Sequence, residues 1–456
     1  MQIEIRSQKS EVKIRKKEHD LRHIKFIAFI FSLSVFAVSA SDWTQWFGSN
    51  HEGSSDETLK AWPASGPKQL WKIPMGEGLG TIAVADGKAY VMAETQGGGG
   101  SGRGGAESVI CLDANTGKQL WAAPVGPTIL GEHSGNDGPR STPAVDGGLV
   151  YAVGTYLNVA CFDAKTGAQV WAHDLAAEFN GAGQLKSQGI GAWGCANSPV
   201  VDGDLVFVQG GGAGESFLAF DKKSGKLAWK AEDDLIAHTT PTVATIAGTR
   251  QVIYFSKKGP AGKSLASLVS FETTTGKLLW RFSPFAWKTS SAISPVVSGD
   301  IVYCSGGYNM GAAAAKITKE GAGFKAEKLW EDPKMFSHWS TPVAHNGYFY
   351  GLIGFKEFGV EPLKCVEMAT GKIIWSQNGF GQGGTALVDG KVLILGDKGQ
   401  LVLCEANQAG YKELAHYQAF QLASPKIRCW NQPTVSNGKI YARTSTEALC
   451  LDASGK

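Results

Sequence analysis

Short apolar segments of strand length alternate with glycine-containing turns along most of the chain. Residues 111–121 show the pattern in full, because the apolar run Cys-Leu precedes Asp-Ala-Asn-Thr-Gly-Lys and a second short segment ends in tryptophan. A Thr-Gly pair supplies the positive φ of a tight turn, so this segment predicts a β-hairpin whose second strand carries an aromatic residue. The element recurs at residues 161–171, 219–229, 270–280 and 365–375, with a degenerate copy ending at 328–330.

The tryptophans that end these elements recur at intervals of 45 to 58 residues. Such a period is typical of the blades of a β-propeller, in which each repeat is one small sheet. We predict that each indole packs between its own sheet and the neighbouring one. The repeat tryptophans are Trp71, Trp121, Trp171, Trp229, Trp280, Trp330 and Trp375.

A second element precedes each hairpin and places a proline at the start of a short apolar run, as in Ser-Thr-Pro-Ala-Val-Asp-Gly at 141–147. Proline is tolerated at the first residue of an edge strand, where its missing N–H is not needed, and the Asp-Gly pair turns the chain into the next strand. Each repeat is therefore predicted to form four antiparallel strands, with the innermost strand beginning near the proline. Further copies begin at 197, 239, 293, 340 and 431, and weaker ones at 81 and 385.

The two ends of the chain carry complementary halves of one repeat. Residues 450–456 copy the start of the hairpin and stop at its turn, whereas residues 68–71 copy its last strand with no blade before them. Joining the halves completes an eighth sheet and removes an unpaired edge. The sequence predicts an all-β fold, an eight-bladed β-propeller of four-stranded antiparallel blades over 68–456, closed by an N-terminal outer strand.

Residues 41–67 are predicted to form an N-terminal arm. We expect Trp43 and Trp46 to pack onto the ring, because two exposed tryptophans would form an apolar patch. Contact with a partner is the alternative.

Residues 1–40 differ from the rest of the chain. Lysines and arginines precede the apolar run 26–38, and Val38-Ser39-Ala40 offers a cleavage site before Ser41. This pattern predicts a signal peptide and an exported protein, periplasmic or extracellular, without a transmembrane span in its mature form. An uncleaved anchor is the alternative.

The basic character of the chain belongs to this first segment. The formal charge is +3 overall, but 36 Lys and Arg face 37 Asp and Glu once residues 1–40 are removed. A near-neutral chain without a basic stripe gives no electrostatic reason to expect a nucleic acid or an anionic membrane as partner.

Most of the eight cysteines fall at or near one position of the repeat, in separate blades. Equivalent positions of different blades are too far apart for a disulfide, so these cysteines are interpreted as small buried apolar residues. One bridge among Cys195, Cys304 and Cys429 remains open.

The Asp-Ala-x-Thr-Gly-Lys-x-x-Trp repeats resemble those of the pyrroloquinoline-quinone-type (PQQ, quinoprotein-like) propeller family over nearly all of residues 68–456. The segment Asp-Trp-Thr-Gln-Trp-Phe-Gly at 42–48 resembles the start of exported bacterial members. The family includes quinone-dependent alcohol dehydrogenases and the propeller subunit of the outer-membrane β-barrel assembly machinery, so the resemblance implies a fold more strongly than an activity.

The resemblance also sets out what a dehydrogenase of this family would need. Such enzymes hold the quinone below a disulfide of adjacent cysteines, with a calcium ion on carboxylate and amide groups and an aspartate as base. This sequence has no Cys-Cys pair, and the calcium ligands cannot be matched to it residue by residue. Both departures weigh against the dehydrogenase activity.

Residues just before each innermost strand are expected to share one mouth of the central channel. They combine guanidinium, imidazole, amide and indole groups, as a small polar or planar ligand requires. The alternative is that they are ordinary polar residues at solvated loop ends. We call the set the funnel residues: Arg140, Trp193, Asn197, His238, Ser290, His338, Trp339, Gln382, Trp430 and Asn431.

His133 and Asp137 lie in the loop that leads to the first funnel residue and are expected nearby. A metal site formed by His133, His238 and His338 is disfavoured, because the three come from different repeats and lack a local ligand spacing. No metal and no catalytic residue is therefore assigned.

We expect the protein to serve as a binding platform for a small polar ligand or a protein partner. A PQQ-dependent oxidoreductase with calcium and a diverged funnel is one alternative. A scaffold similar to the propeller subunit of the β-barrel assembly machinery is the other.

Overall fold

The computed structural model describes residues 42–95, 105–128, 138–187, 190–258, 264–288, 291–354 and 362–455. The predicted signal peptide at 1–40 lies outside these ranges, as do His133, Asp137 and Ser290. Among the described residues, no helix has the length and apolar character needed to cross a membrane.

The eight-bladed propeller is confirmed, since the strands form eight sheets of four main antiparallel strands each. Innermost strands of neighbouring blades contact one another at seven junctions of the ring, including that of the last blade with the first, and blades 4 and 5 are in contact through their outer strands. Blade 1 consists of Ala83–Ala85, Lys88–Thr95, Ala106–Asp113 and Gln119–Pro127; blade 2 of Ala144–Asp146, Leu149–Val153, Asn158–Asp163 and Gln169–Asp174; blade 3 of Val200–Asp202, Leu205–Gln209, Phe217–Asp221 and Leu227–Ala231; blade 4 of Thr242–Ile246, Thr249–Lys257, Leu265–Glu272 and Leu278–Ala286, with Leu235–Ile236 added to its second strand.

The second half of the ring continues in the same order and ends with the closing blade. Blade 5 consists of Val296–Ser298, Ile301–Gly306, Gly311–Glu320 and Gly323–Asp332; blade 6 of Val343–His345, Tyr348–Leu352, Leu363–Glu367 and Ile373–Gln377; blade 7 of Gly384–Val388, Lys391–Leu395, Gln400–Glu405 and Glu413–Gln418, with Ser54–Ser55 beside its innermost strand; blade 8 of Thr434–Ser436, Lys439–Arg443, Glu447–Asp452 and Lys68–Pro74. In blade 8, Trp71 lies opposite Cys450, so the N-terminal strand closes the ring as predicted.

The described helical segments are short and lie between blades 2 and 3. They are an α-helix at Leu175–Glu178 and 3₁₀ turns at Gly181–Lys186 and Gly191–Trp193. The last of these carries one of the funnel residues.

The hairpin turns are built by the residues that the repeat places there. In blade 1 the Asp113 carboxylate accepts hydrogen bonds of 2.8 Å from both the backbone N–H and the hydroxyl of Thr116. These bonds lower the pKa of Asp113. Gly117 follows with a φ of 70°, and a Cβ there would lie 2.8 Å from the Trp71 ring. Glycine is required at this position by both its backbone conformation and the indole above it.

Six of the seven repeat tryptophans link one blade to the next. Each donates its indole N–H to a backbone carbonyl in the hairpin turn of the following blade, which satisfies a polar group that would otherwise be buried without a partner. The pairs are Trp71 with Ala114 (3.0 Å), Trp121 with Ala164 (3.3 Å), Trp171 with Lys222 (3.1 Å), Trp229 with Thr273 (2.8 Å), Trp330 with Met368 (2.8 Å) and Trp375 with Asn407 (2.9 Å).

Trp280 differs, because blade 5 lacks the Thr-Gly turn that would receive its indole. Its N–H instead donates to the side-chain oxygen of Gln251 in its own blade, at 2.8 Å. Blade 5 has a longer outer hairpin, whose Ile317 belongs to the same apolar cluster as Trp280 and whose Phe324 packs against that cluster. The degenerate repeat therefore keeps the packing between blades and loses the hydrogen bond.

A belt of hydroxyl groups joins neighbouring blades where the innermost strands begin. The N–H of Thr81 donates to the Thr142 hydroxyl at 2.9 Å, the N–H of Thr142 to the Ser198 hydroxyl at 2.9 Å, and the N–H of Ser198 to the Thr240 hydroxyl at 2.9 Å. Blades 5 and 6 are joined in the same way, from Ser294 to Thr341 at 3.1 Å. The serine or threonine before each proline thus has a structural role of its own.

All eight cysteines lie in the described part of the chain, and all are buried and unpaired. The bridge left open among Cys195, Cys304 and Cys429 is absent. Burial raises the pKa of the Cys195 thiol to about 12. These thiols are therefore protonated and serve as apolar filling.

Residues 42–57 of the arm cross one end of the ring and touch most blades in turn. Trp43, which is 1% exposed, forms an antiparallel bridge with Val84 of blade 1. The carboxamide of Gln45 forms two hydrogen bonds with the backbone of Val201 in blade 3, and the Trp46 indole donates to Ser294 of blade 5 at 2.9 Å. The two arm tryptophans therefore contact the ring.

The arm also reaches the closing blade. The carboxylate of Glu57 accepts hydrogen bonds from the backbone N–H groups of Asn437 and Gly438, at 2.6 and 2.5 Å. Leu59 and Trp62 are buried in the core shared by blades 7 and 8. The arm covers the end of the channel where the first hairpin turns lie, so the funnel residues lie at the opposite end.

Candidate functional site

The described funnel residues precede the innermost strands of blades 2, 3, 4, 6, 7 and 8. Arg140 and Trp193 form one side of the mouth. The guanidinium of Arg140 donates to the backbone carbonyl of Trp193 at 3.3 Å, and its central carbon lies 5.7 Å from the centre of the indole. This cation–π contact holds the positive charge against a flat aromatic face, and the Trp193 side chain remains 39% exposed.

His238 is buried and lies between Arg140 on this side of the mouth and His338 on the other. Burial lowers the pKa of His238 to about 3, with smaller contributions from the charges of Arg140 and His338. Because both charges act on one buried imidazole, Arg140 of blade 2 and His338 of blade 6 lie in the neighbourhood of His238 of blade 4. The imidazole of His238 is neutral at neutral pH.

A row of stacked side chains forms the other side of the mouth. Trp339 and Trp430 lie with ring centres 4.5 Å apart, and His338 contacts Trp339 edge-on at 4.9 Å. Tyr308 extends the row beyond His338 at 5.0 Å, and the Arg428 guanidinium lies 5.0 Å from the Trp430 ring. The row spans blades 5 to 8, with its rings tilted or edge-on to one another and a cation at one end.

Sequence reasoning did not identify two members of this row. Arg428 lies two residues before Trp430, so its proximity to the funnel could have been noticed. Tyr308 lies in the turn between the second and third strands of blade 5, and only the fold shows that such turns reach the same mouth.

The amides and Gln382 have different surroundings. Asn197 is fully buried, its side chain contacts the Cys195 thiol, and its side-chain oxygen has no hydrogen-bond partner among the described residues. Asn431 instead donates to the backbone carbonyls of Leu79 and Gly80, at 2.7 and 3.1 Å, which joins blade 8 to blade 1. The backbone carbonyl of Gln382 accepts the Trp339 indole N–H at 3.0 Å.

A buried carboxyl group behind this mouth was not predicted. Glu107, in the third strand of blade 1, is 0% exposed and accepts hydrogen bonds from the backbone N–H of Thr155 (2.8 Å) and from its hydroxyl. Burial raises the pKa of Glu107 to about 7, against the effect of the two Thr155 bonds and of Arg140. The Thr155 carbonyl in turn accepts from the N–H of Cys195 at 2.8 Å, so Glu107 supports the segment that follows Trp193.

Two further polar features are the buried guanidinium of Arg443 and the cluster of carboxylates at 232–234. Arg443 is fully buried, donates to the carbonyls of Met92 (2.8 Å) and Thr444 (3.0 Å), and has its pKa lowered to about 9 by burial. The carboxylates at 232–234 lie close enough together to suggest a cation site. Lys258 and Arg281 already form ion pairs with these three carboxylates.

The residues at the mouth fit a quinone cofactor better than they fit calcium. Arg140, Arg428 and the indole pair offer cations and flat faces to a planar anion. Calcium prefers carboxylate and carbonyl oxygens. The described funnel residues contribute no carboxylate, and both oxygens of nearby Glu107 are bonded to Thr155.

Comparisons with known proteins place this geometry in context. A family model of PQQ-type repeats, described as outer membrane protein assembly factor BamB, matches residues 105–351. No curated protein matches the chain.

Several solved structures share the fold. The quinohemoprotein alcohol dehydrogenase from Comamonas testosteroni superposes with a TM-score of 0.61 at 14% identity, over 91% of this chain and 81% of that one. BamB from Moraxella catarrhalis gives 0.53 at 14% identity, over 85% and 98%. The computationally designed Ika8 protein gives 0.54 at 11% identity, over 85% and 100%. At these identities the likeness concerns the fold alone.

Proposed function

The chain belongs to the family of PQQ-type repeat propellers described as outer membrane protein assembly factor BamB, and from that premise we propose that its funnel binds a small, planar, anionic ligand. The protein acts as a binding platform. It works outside the cytoplasm, as the composition of residues 1–40 indicates.

The observation that carries this proposal is the pairing of cations with flat aromatic faces on two sides of one mouth. Arg140 stacks on Trp193, and Arg428 stacks on Trp430 of the indole pair. A guanidinium recognises a carboxylate through two parallel N–H donors, and an indole face holds a planar ring. The buried side-chain oxygen of Asn197 adds an acceptor that has no hydrogen-bond partner among the described residues.

The neutral imidazole of His238 argues for binding over catalysis. A general base works best when its pKa lies near the working pH, and burial holds this pKa near 3. His238 can donate or accept a hydrogen bond in a bound complex, but it is a weak acceptor of a proton from a substrate hydroxyl.

The test is calorimetric titration of the mature protein, residues 41–456, with pyrroloquinoline quinone in the presence and absence of calcium. We expect binding without calcium, weakened at least tenfold by Arg140→Ala and by Trp430→Ala, because each change removes a charged or stacking contact. Arg140→Lys keeps the charge and tests the planar guanidinium. Unchanged melting temperatures would show that the variants are folded. Equal affinity of Arg140→Ala and the parent would contradict the proposal.

The second candidate is a quinone-dependent oxidoreductase, and the fit of the indole pair and the two arginines to a planar quinone favours it. In such an enzyme the bound quinone would take up the hydride, while the residues of this chain would only hold it and exclude water. A dye-linked dehydrogenase assay with the quinone, calcium and primary alcohols separates the two. Turnover lost in Arg140→Ala would establish the enzyme.

A scaffold role is the remaining outcome. It is supported by the family description, and would be recognised by crosslinking to one specific protein together with the absence of quinone binding.

A further inference from the structure

A cavity of about 340 Å³ lies at the other end of the channel, under the arm. Its walls are the arm residues Phe47, Asn50, His51 and Glu52 and the innermost strands of blades 4, 5 and 6. Ligand pockets run from about 300 to 1,000 Å³, so this one suits a small molecule or two to three short residues. It is separate from the funnel.

The innermost strand of each blade is an edge, so every second backbone N–H points away from its own sheet toward the channel. In four blades the arm supplies an acceptor to the inward-facing N–H, in every case a carbonyl or carboxamide oxygen. The bonds are Val84 to Trp43 (2.8 Å), Val145 to Thr44 (2.8 Å), Val201 to the Gln45 side chain (2.9 Å) and Leu387 to Gly53 (2.9 Å).

Four blades have the same N–H without an arm partner: one is Val435 in blade 8, and the other three adjoin the cavity. Val243, Val297 and Ala344 occupy the equivalent register in blades 4, 5 and 6, opposite Val252, Val302 and Phe349. All three line the cavity, and none of their N–H groups has an acceptor among the described residues. Val243 is buried, whereas Val297 and Ala344 are partly exposed. Each inward N–H without a protein partner offers a donor to an acceptor from outside the chain.

The charges around the cavity favour a neutral acceptor over an anion. The guanidinium of Arg250 is held by the Asp202 carboxylate, with Nη2 2.5 Å from an oxygen. Burial lowers the pKa of His51 to about 4, so its imidazole is neutral. The carboxyl group of Glu52 also lies on the wall, so a negatively charged ligand would meet another negative charge.

We propose that this cavity is a second ligand site, which binds the amide carbonyls of a short extended peptide and so continues the hydrogen bonding of the arm across blades 4, 5 and 6. The three donors come from neighbouring blades, as do the donors of blades 1, 2 and 3 that bind the arm. Recognition uses the main-chain carbonyls of the peptide and depends little on its side chains.

The experiment uses the purified protein and the probe N-acetylglycylglycinamide. Addition of the probe should shift the backbone amide resonances of Val243, Val297 and Ala344 in a saturable way. Val297→Pro removes one inward N–H and leaves the ladder with its neighbouring strand intact, because that N–H points away from it. We expect binding about tenfold weaker in Val297→Pro and unchanged in Val297→Ala, which keeps the donor.

Two results would overturn the proposal. One is the absence of a saturable shift at the three amides of the parent protein, which does not depend on any variant being folded. The other is equal affinity of Val297→Pro and Val297→Ala when both melt like the parent. Arg140→Ala should leave binding of this probe unchanged, so failure here is separate from failure of the funnel proposal.

Discussion

Replacing Glu107 by glutamine tests the buried carboxyl group behind the funnel. The side chain keeps its shape and an oxygen acceptor for the backbone N–H of Thr155, and its new amide N–H can donate to the Thr155 hydroxyl. The principal change is the loss of a titrating group. The variant therefore isolates the contribution of one proton to stability.

The magnitude follows from the pKa. Burial raises it from 4.5 to about 7, which corresponds to about 3 kcal/mol. Between these pH values the native state holds a proton that the unfolded chain has released. The contribution of Glu107 to the free energy of unfolding is therefore greatest below pH 4.5, falls as the pH rises to about 7 and is constant above that.

The assay is urea unfolding of the parent and Glu107→Gln at several pH values from 4 to 8. Subtracting the two curves cancels every other titrating group, provided that the substitution leaves them unchanged. The free energy of unfolding of Glu107→Gln, relative to that of the parent, should rise by about 3 kcal/mol from the acidic to the basic end of this range. Parallel curves would refute the reasoning and show that the carboxyl group is hydrated or already ionised near pH 5.

Three further outcomes test the fold. Thr142→Val removes the acceptor of the buried Thr81 N–H and should cost about 1–3 kcal/mol in urea unfolding, whereas Thr142→Ser should cost much less; equal losses would contradict the hydroxyl belt. Trp171→Phe loses the bond to the Lys222 carbonyl and should cost about 1 kcal/mol or more by the same measurement; an unchanged stability would show that this bond contributes nothing. Deleting residues 42–67 exposes buried apolar surface and should lower the melting temperature by several degrees, and a melting temperature equal to that of the parent would show that the arm does not stabilise the ring.

The blades could be predicted because each is made from contiguous residues with its own turn chemistry. The Asp113, Thr116 and Gly117 positions specify one hairpin locally, and repetition of that hairpin specifies the ring. Ring closure could also be predicted, because the segments that contain Trp71 and Cys450 each match one half of the same hairpin. The serines and threonines before the prolines were visible as a pattern, but their hydrogen bonds cross to a neighbouring blade, and the sequence does not show which atoms meet there.

The position of the arm and the rest of the candidate site depend on contacts between residues that are distant in sequence. The Gln45 carboxamide meets the Val201 backbone across 156 residues, and no local pattern encodes that contact. Glu107 left a usable signal, since an acidic side chain interrupts the apolar strand Ala106–Asp113. The partner of that carboxyl group, Thr155, comes from another blade. The fate of Ser290 stays a prediction, because it lies outside the described residues.

The closing strand has a consequence for the order of folding. Lys68 pairs with Asp452, so the strand Lys68–Pro74 waits for a strand that follows the seven other blades in the chain. Seven blades can form from local hairpins while the eighth is incomplete, and its open edge is free to pair with another chain during that time. Ring closure is then the slow, long-range event of folding. A partly folded chain therefore keeps an open edge until Lys68–Pro74 pairs with Glu447–Asp452.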